Sequence, residues 1–199
     1  MIQSMTMEHI KRYGEIYAAA FSGPPWNDPW EPANAEIHVR EIMESRQSYG
    51  LEYVIGGKVV GFILGASMLF HYGRTFEIND LAVDPNYQGR GIAVTLLEKC
   101  KADMKERGIV GLNLITGAEG FLPEFYERHG FKKRESRNSH GDGDIAAVFP
   151  FFLFNSQGIF SDSRQAEAPF CRVRTSSPER SPDSGPEIPR RSLPRSSTA

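Results

Sequence analysis

The sequence predicts an α/β domain in which helices and strands pack as layers around one core. Two helical patterns come first, three strand-like runs follow, and helices and strands then alternate. The segment at residues 78–93 is the clearest feature, because it passes from an apolar strand through a glycine-rich turn into a helical run that reaches Arg107. Elements in this order favour a layered α/β architecture. A chain of 199 residues has room for one such domain and an appendage.

Two helices are predicted within the first 46 residues. Residues 1–4 can form a short strand, and Thr6 can then cap a helix over residues 7–21, where apolar side chains recur at helical spacing. The prolines in residues 22–25 end this helix, because proline cannot continue it. A second apolar pattern predicts a helix over residues 33–46.

The loop between these helices holds both tryptophans of the chain, Trp26 and Trp30. Large amphipathic rings often line ligand sites, so these side chains can form one wall of a substrate pocket. They can also fill a gap between the two helices. The two roles are compatible, and the sequence allows both.

Strand and helix signals continue to about residue 133. Gly56-Gly57 is a hairpin dipeptide between two strand-like runs, and Gly130 follows a short helical pattern. The apolar run at residues 146–154 can supply a last strand if Pro150 lies at an edge or a bulge. The remaining predicted elements are strands at 51–55, 58–64, 76–83 and 109–115, a helix at 120–129, and a strand that begins at Phe131.

The composition changes after Phe154. Residues 155–199 are rich in serine, proline and arginine, contain no lysine, and lack sustained apolar periodicity. Such a segment cannot bury enough apolar surface to offset the entropy lost on ordering. We therefore predict a folded domain at residues 1–154 and a disordered tail at residues 155–199.

Charge and cysteine content narrow the classes of function. A net charge of −2 gives no general attraction to nucleic acid or to an acidic membrane surface. The two cysteines, Cys100 and Cys171, have no metal-type spacing, so neither a metal site nor a disulfide scaffold is expected. No leader-like N-terminus and no run of ~20 apolar residues is present. These features predict a cytoplasmic protein.

The glycine-rich turn at residues 88–93 has the properties of an anion site. Gly89 and Gly91 allow the main chain to approach a phosphate, and the first N–H groups of the following helix lack helical partners. Gln88 and Arg90 can add side-chain donors. The spacing fits neither the P-loop nor the dinucleotide-binding pattern, and an ordinary turn between strand and helix can have this composition.

Two segments, LAVDPNYQGRGIAVTLL at residues 81–97 and EFYERHGF at residues 124–131, resemble the GCN5-related N-acetyltransferases, the GNAT superfamily. The resemblance covers roughly residues 3–133. It implies the GNAT fold, with a mixed central sheet flanked by helices, and an N-acetyltransferase that uses acetyl-CoA. The sequence departs from the family at Glu119, where an asparagine is frequent, and beyond Lys133, where the family's final hairpin is not recognisable.

The resemblance also implies site residues. The main chain at Leu81 and Val83 would meet the pantetheine arm and the thioester, and residues 88–93 would bind the pyrophosphate. Tyr126 matches a tyrosine that protonates the departing thiolate, a role suited to a phenol with a pKa of about 10. Anchoring the short helix in the core would also explain this tyrosine. The implied coenzyme-binding set is Leu81, Ala82, Val83, Gln88, Gly89, Arg90, Gly91, Ile92 and Ala93.

Two carboxylates on the central strand can serve as the catalytic base, because family members carry an acidic residue at varying positions there. Side chains alternate along a strand, so Glu77 and Leu81 share one face while Asp80 lies on the other. An acceptor on the Leu81 face would favour Glu77. A β-bulge, frequent beside active sites, would bring Asp80 to that place instead. Each can also be a surface carboxylate.

The acceptor is expected to be the primary amine of a small molecule. The PPWNDPW loop and the element order resemble the aminoglycoside 6′-acetyltransferase-like branch of the family. Direct transfer within a ternary complex is predicted, because no cysteine is placed to carry the acetyl group. A homodimer is allowed, whereas nucleic acid and membrane partners are not expected. The alternatives are a catalytically silent acyl-CoA-binding module and a protein N-acetyltransferase.

Overall fold

A computed structural model describes residues 1–24, 26–117 and 120–132, together with the backbone of residues 147–148. These residues belong to one structural unit, Met1–Ile159. Six strands follow one another across the sheet in sequence order; β4 and β5 are parallel and the other neighbours are antiparallel. The strands are β1 (Ile2–Ser4), β2 (Ser48–Ile55), β3 (Lys58–Phe70), β4 (Gly73–Val83), β5 (Gly111–Thr116) and β6 (Ala147–Val148), and the helices are α1 (Ile10–Phe21), α2 (Pro32–Glu44), α3 (Ile92–Glu106) and α4 (Phe121–Arg128).

The predicted mixed sheet flanked by helices is confirmed, and β3 and β4 extend further than predicted. They continue to pair past the buried region, as far as Phe70 and Gly73. A strand beginning at Phe131 is wrong for residues 131–132, because Phe131 completes the end of α4. Its N–H donates to the Tyr126 carbonyl at 3.1 Å, and its buried ring packs edge-on against the Tyr126 ring. The predicted tail, residues 155–199, lies outside the described residues.

Helices cover both faces of the sheet. On one face, α3 and α4 pack over a core cluster that includes Ile78 and Leu96. On the other face, α1 and α2 pack over a second cluster that includes Tyr13 and Phe62. The near-continuous apolar run of β3 is explained by this arrangement, because successive side chains of a strand point into opposite cores.

A β-bulge at Asn79 interrupts the regular alternation of β4. Leu64 of β3 pairs with Asp80, whereas the next residue, Gly65, pairs with Ile78. Asn79 is therefore the extra residue, and an extra residue reverses the side-chain alternation beyond it. Ile78 packs in the α3–α4 core, whereas Asp80, two residues later, meets α2 on the other face.

The parallel strands β4 and β5 separate immediately before this bulge. Their last paired residues are Ile78 and Leu114. β4 continues to Val83, and β5 turns to pair with β6 at Ile115 and Thr116. Main-chain groups of residues 80–83 thus border a gap in the sheet, which is where the site residues of β4 are found.

Candidate active site

The turn that leaves β4 is fixed by Asp84. Its buried carboxylate accepts a hydrogen bond from the Asn86 N–H at 2.9 Å and another from the Arg12 guanidinium of α1. Burial by itself would raise the pKa of Asp84, but these hydrogen bonds outweigh it and hold that pKa below its ordinary value. Arg12 also donates to the Val59 carbonyl at 3.0 Å, so one side chain ties the first helix to the start of the turn.

Two glycines give the turn its shape. Gly89 and Gly91 have φ angles of 72° and 75°, a left-handed conformation that costs other residues energy. A Cβ atom added at either position would meet no other atom within 4 Å, so the space in front of the turn is open. An open approach to the main chain at the start of a helix is what a phosphate group requires.

Helix α3 begins directly after this turn. Its first helical hydrogen bond runs from the Thr95 N–H to the Gly91 carbonyl at 3.0 Å. The preceding N–H groups, including those of Ile92 and Ala93, are therefore left without helical acceptors. These donors lie at the positive end of the helix dipole, so an anion is stabilised there. The predicted pyrophosphate-binding segment has the backbone geometry of an anion site.

The side chains of Gln88 and Arg90 hold the turn from within. Gln88 donates from Nε2 to the Val83 carbonyl at 3.0 Å. Arg90 donates to the Asn86 carbonyl at 3.2 Å, and its guanidinium lies 5.1 Å from the centre of the Tyr87 ring. Gln88 thus braces the connection between β4 and the turn, whereas exposed Arg90 can exchange its weak internal contacts for a phosphate.

The gap between β4 and β5 has the features of a pantetheine channel. The main chain of Leu81, Ala82 and Val83 has no β5 partner on this side. The Val83 carbonyl already accepts from Gln88, and the remaining main-chain groups on this side are open to a ligand. On the other strand, the buried Thr116 hydroxyl has no hydrogen-bond partner among the described residues. An unpaired buried hydroxyl is costly, and an amide-containing ligand would satisfy it. These groups fit the extended amide chain of coenzyme A.

Tyr126 lies on α4 with its ring in the α3–α4 core, 8% exposed. Its ring packs edge-on against those of Phe125 and Phe131. Burial raises the pKa of Tyr126 to about 12, because the phenolate loses its hydration. The phenol is therefore protonated at neutral pH, as a proton donor must be. The packing role predicted for this residue is confirmed, and its role as the acid stays a prediction.

Glu77 and Asp80 lie on the same face of the sheet, because the bulge at Asn79 separates them. Glu77 is exposed and accepts a hydrogen bond from Asn113 of β5 at 3.2 Å. Asp80 is buried and pairs with His38 of α2, whose Nε2 lies 3.2 and 3.4 Å from the two carboxylate oxygens. The hydrogen bond that His38 donates to Asp80 raises the pKa of His38 above its ordinary value, in spite of partial burial.

An aromatic wall surrounds the His38–Asp80 pair, and it includes both predicted tryptophans. The Tyr17 ring centre lies 4.9 Å from Trp30 and 4.9 Å from His38. The ring centres of Trp30 and His38 are 5.4 Å apart. Trp26 contacts the group through Phe21, with the two ring centres 5.8 Å apart. Trp30 packs against the α1–α2 core, so the packing role is confirmed for this residue. The role of the two tryptophans in a substrate pocket stays a prediction.

Sequence reasoning missed His38 and Tyr17. Both lie on apolar helix faces, where a histidine or tyrosine is indistinguishable from a packing residue. The available signal was the spacing of Ala35, His38, Val39 and Ile42, which places a histidine on the buried stripe of α2. That signal indicates burial and gives no partner, since Asp80 is 42 residues away.

Other chemistry has little support in the described part of the chain. No cluster of three or more metal-ligating side chains occurs there, and none of its helices is long and apolar enough to cross a membrane. Cys100 lies on the buried face of α3, and burial raises the pKa of its thiol to about 12. Such a thiol is not a nucleophile at neutral pH.

Comparison with known proteins gives a consistent result. Residues 10–131 match the acetyltransferase (GNAT) family. The chain is 30% identical over 149 residues to N-alpha-acetyltransferase RimI of Mycobacterium tuberculosis, covering 71% of this chain and 87% of that protein. The fold is similar to an aminoglycoside 6′-N-acetyltransferase complexed with coenzyme A, with a TM-score of 0.61 and 15% identity over 78% of this chain and 98% of the other.

A second coenzyme A complex has the same fold. It is the PaiA N-acetyltransferase of Thermoplasma acidophilum, with a TM-score of 0.59 and 16% identity over 77% of this chain and 98% of the other. The family match spans the glycine turn, the gap between β4 and β5, and α4. The chain therefore belongs to the GNAT family and is an N-acetyltransferase that uses acetyl-CoA as its co-substrate.

Proposed function

We propose that the protein transfers the acetyl group of acetyl-CoA to the primary amine of a small molecule, by direct attack within a ternary complex. The observation that carries this proposal is the aromatic wall around a buried carboxylate, Asp80, beside the gap between β4 and β5. Aromatic faces and a carboxylate attract a cationic amine. The exposed carboxylates of Asp28 and Glu31, in the loop between α1 and α2, add to this attraction.

The coenzyme is held by main-chain groups in this proposal. The N–H groups at residues 89–93 bind the pyrophosphate, and Arg90 supplies a mobile positive charge. Leu81 and Val83 orient the pantetheine arm and polarise the thioester carbonyl through their main chain. Donors fixed by a strand and a helix need no reorganisation when negative charge develops on the carbonyl oxygen, so they stabilise the transition state efficiently.

Proton transfer completes the reaction. An ammonium group must lose a proton before its nitrogen can attack, and Glu77 and Asp80 are the two carboxylates of β4, the strand that carries Leu81 and Val83. When the carbon–sulfur bond breaks, the thiolate takes a proton from the Tyr126 hydroxyl. The raised pKa of Tyr126 keeps that proton available at neutral pH.

Direct transfer is favoured over an acetyl-enzyme intermediate. The described cysteine, Cys100, is buried in the core with a raised pKa, so it neither reaches the thioester nor ionises at neutral pH. Direct attack requires both substrates to be bound together, which predicts intersecting rather than parallel lines in double-reciprocal plots.

A protein α-amino group is the second candidate acceptor, because the relative in Mycobacterium tuberculosis is named as an N-alpha-acetyltransferase and is 30% identical. A peptide needs an open path between the α1–α2 loop and the sheet. Trp30 is half-buried against Tyr17 and narrows that path, which favours a compact acceptor. The same acetyl-CoA chemistry would serve either acceptor.

The test is thiol release from acetyl-CoA over a panel of acceptors at matched concentrations. The panel contains aminoglycosides, polyamines, amino acid amides, and short peptides with free and blocked N-termini. Turnover restricted to small cationic amines supports the proposal. Turnover confined to free N-terminal peptides would replace it with the protein acceptor, and acetyl-CoA binding without any turnover would indicate a silent module.

A further inference from the structure

His38 and Asp80 form a pair whose geometry resembles that of a base and its orienting carboxylate. Nε2 of His38 lies within 3.4 Å of both carboxylate oxygens of Asp80. Asp80 is 5% exposed at its side chain, whereas His38 is 33% exposed. The carboxylate is thus shielded from solvent, and the imidazole is the accessible member of the pair.

The hydrogen bond to Asp80 selects one tautomer of His38. A carboxylate oxygen accepts a hydrogen bond from an N–H group, so Nε2 carries the hydrogen and Nδ1 of the neutral ring has a free lone pair. Nδ1 has no protein partner among the described residues, and it is not among their buried unpartnered atoms. The ring centres of Tyr17 and Trp30 lie 4.9 and 5.4 Å from that of the imidazole, and this packing fixes the orientation of His38.

We propose that His38 is the catalytic base, which takes the ammonium proton of the acceptor on Nδ1, and that Asp80 is a positioning residue that holds the imidazole and stabilises the imidazolium. This inference rests on the proposed function and assigns roles within it. The alternative base, Glu77, is exposed to water and bonded to Asn113, so it lacks a comparable fixed geometry. Asp80 cannot take the proton easily, because both of its oxygens face His38.

The proton balance is complete without a further reactant. The acceptor ammonium gives one proton to Nδ1 of His38, and the free amine forms a carbon–nitrogen bond with the thioester carbonyl. As the carbon–sulfur bond breaks, the thiolate takes the Tyr126 proton, and the second proton of the attacking nitrogen restores that phenol. His38 releases its proton to solvent, so the products are the acetylated amine, coenzyme A thiol and one proton.

The protonation state of His38 would then determine how kcat depends on pH. The ionisable groups around the ring are Asp80 from β4, Tyr17 from α1 and Glu41 from α2, with Asp28 of the α1–α2 loop beyond Tyr17. The hydrogen bond that His38 donates to Asp80 raises the pKa of His38, so kcat should rise with pH through a value above the ordinary pKa of about 6.5.

The experiment measures kcat and KM against pH for the wild type, His38→Gln and Asp80→Asn with the best acceptor of the panel. His38→Gln should lower kcat at neutral pH by about 100-fold and remove the rising limb, with KM for acetyl-CoA unchanged. Asp80→Asn should lower kcat and move the limb to lower pH, because loss of the carboxylate lowers the pKa of the imidazole.

A matched control is available in the same fold. His9 pairs through Nδ1 with the buried Glu52 of β2 at 2.9 Å and is similarly exposed, but β2 lies two strands from β4. His9→Gln should keep the wild-type pH limb. An acetyl-CoA thermal shift equal to that of the wild type establishes that each variant is folded.

The outcomes separate this inference from the function on which it rests. Loss of the limb in His38→Gln and its shift in Asp80→Asn support the base role. If the wild type turns over an amine and His38→Gln retains both kcat and the limb, His38 is not the base, although the function stands. If the wild type acetylates no amine in the panel, the proposed function fails and the base assignment fails with it.

Discussion

Replacement of Gly65 by alanine should disrupt the bulge that gives β4 its functional geometry. Gly65 lies on β3 at the register shift, opposite Ile78. A Cβ atom added there would lie 2.1 Å from the Glu77 carbonyl oxygen and 2.6 Å from a ring carbon of Phe76. Neither atom can retreat easily, since one belongs to the main chain and the other to a fully buried ring.

The magnitude follows from the cost of overpacking a well-packed interior, which is about 1–3 kcal/mol. For a chain of this size each kcal/mol lowers Tm by roughly 2–4 °C, so Gly65→Ala should lower Tm by about 2–12 °C. Movement of β4 at this point also displaces Asp80, because Asp80 pairs with Leu64, the residue next to Gly65 on β3. We therefore expect kcat to fall as well.

Urea denaturation followed by circular dichroism measures the free energy of unfolding, and thiol release measures kcat. Gly23→Ala is the control, because a Cβ atom at Gly23 meets nothing within 4 Å. It should change the free energy of unfolding by less than about 0.5 kcal/mol. Equal stability of the two variants would refute the account of the bulge given above.

Three further predictions concern the site. Tyr126→Phe should lower kcat by about 10²–10⁴-fold while leaving the Kd for acetyl-CoA unchanged by calorimetry; a purely structural tyrosine would lower stability and spare kcat. Gly91→Ala places a side chain at a positive φ and should cost about 1 kcal/mol, raising KM for acetyl-CoA several-fold with little change in kcat; an unchanged KM would exclude a role of the turn conformation in binding. The pKa of Asp84 is lowered in the folded protein, so its ionised carboxylate stabilises the fold above pH ~4, and this stabilisation is lost as the pH falls through the folded-state pKa. The difference in unfolding free energy between wild type and Asp84→Asn should therefore shrink between pH 5 and pH 2. A constant difference would contradict the Arg12–Asp84 pairing.

Local patterns were sufficient for most of the element order. The helical spacing in α1 and α3 and the Gly56-Gly57 hairpin depend on residues close in sequence, and each was predicted to within a few positions. The left-handed glycines of the turn follow from the same local chemistry, because few other residues adopt that conformation without cost. The strand expected at Phe131 was wrong for residues 131–132, since Phe131 closes the end of α4 and its ring is buried in the core formed with α3 and the sheet, which is a tertiary effect.

The site was predictable only in part. The predicted coenzyme-binding segment is nearly contiguous, so its residues within 81–93 could be proposed together. The role of Gln88 could not be predicted from the sequence. Its side-chain N–H was expected to serve a phosphate, but it donates to the Val83 carbonyl, and sequence spacing does not predict this contact. The carboxylates Glu77 and Asp80 could be named from the sequence, but the alternation rule placed them on opposite faces and the bulge reversed that result.

The sequence by itself thus determined the family, the glycine turn and the use of acetyl-CoA in this protein, because these reside in short, contiguous segments. Tertiary structure decided the surroundings of Asp80. The extra residue at Asn79 turned Asp80 toward α2, and packing of α2 on the sheet brought His38 to it across 42 residues of chain. Contacts of that range depend on the register of strands and the seating of helices, which local preferences do not specify.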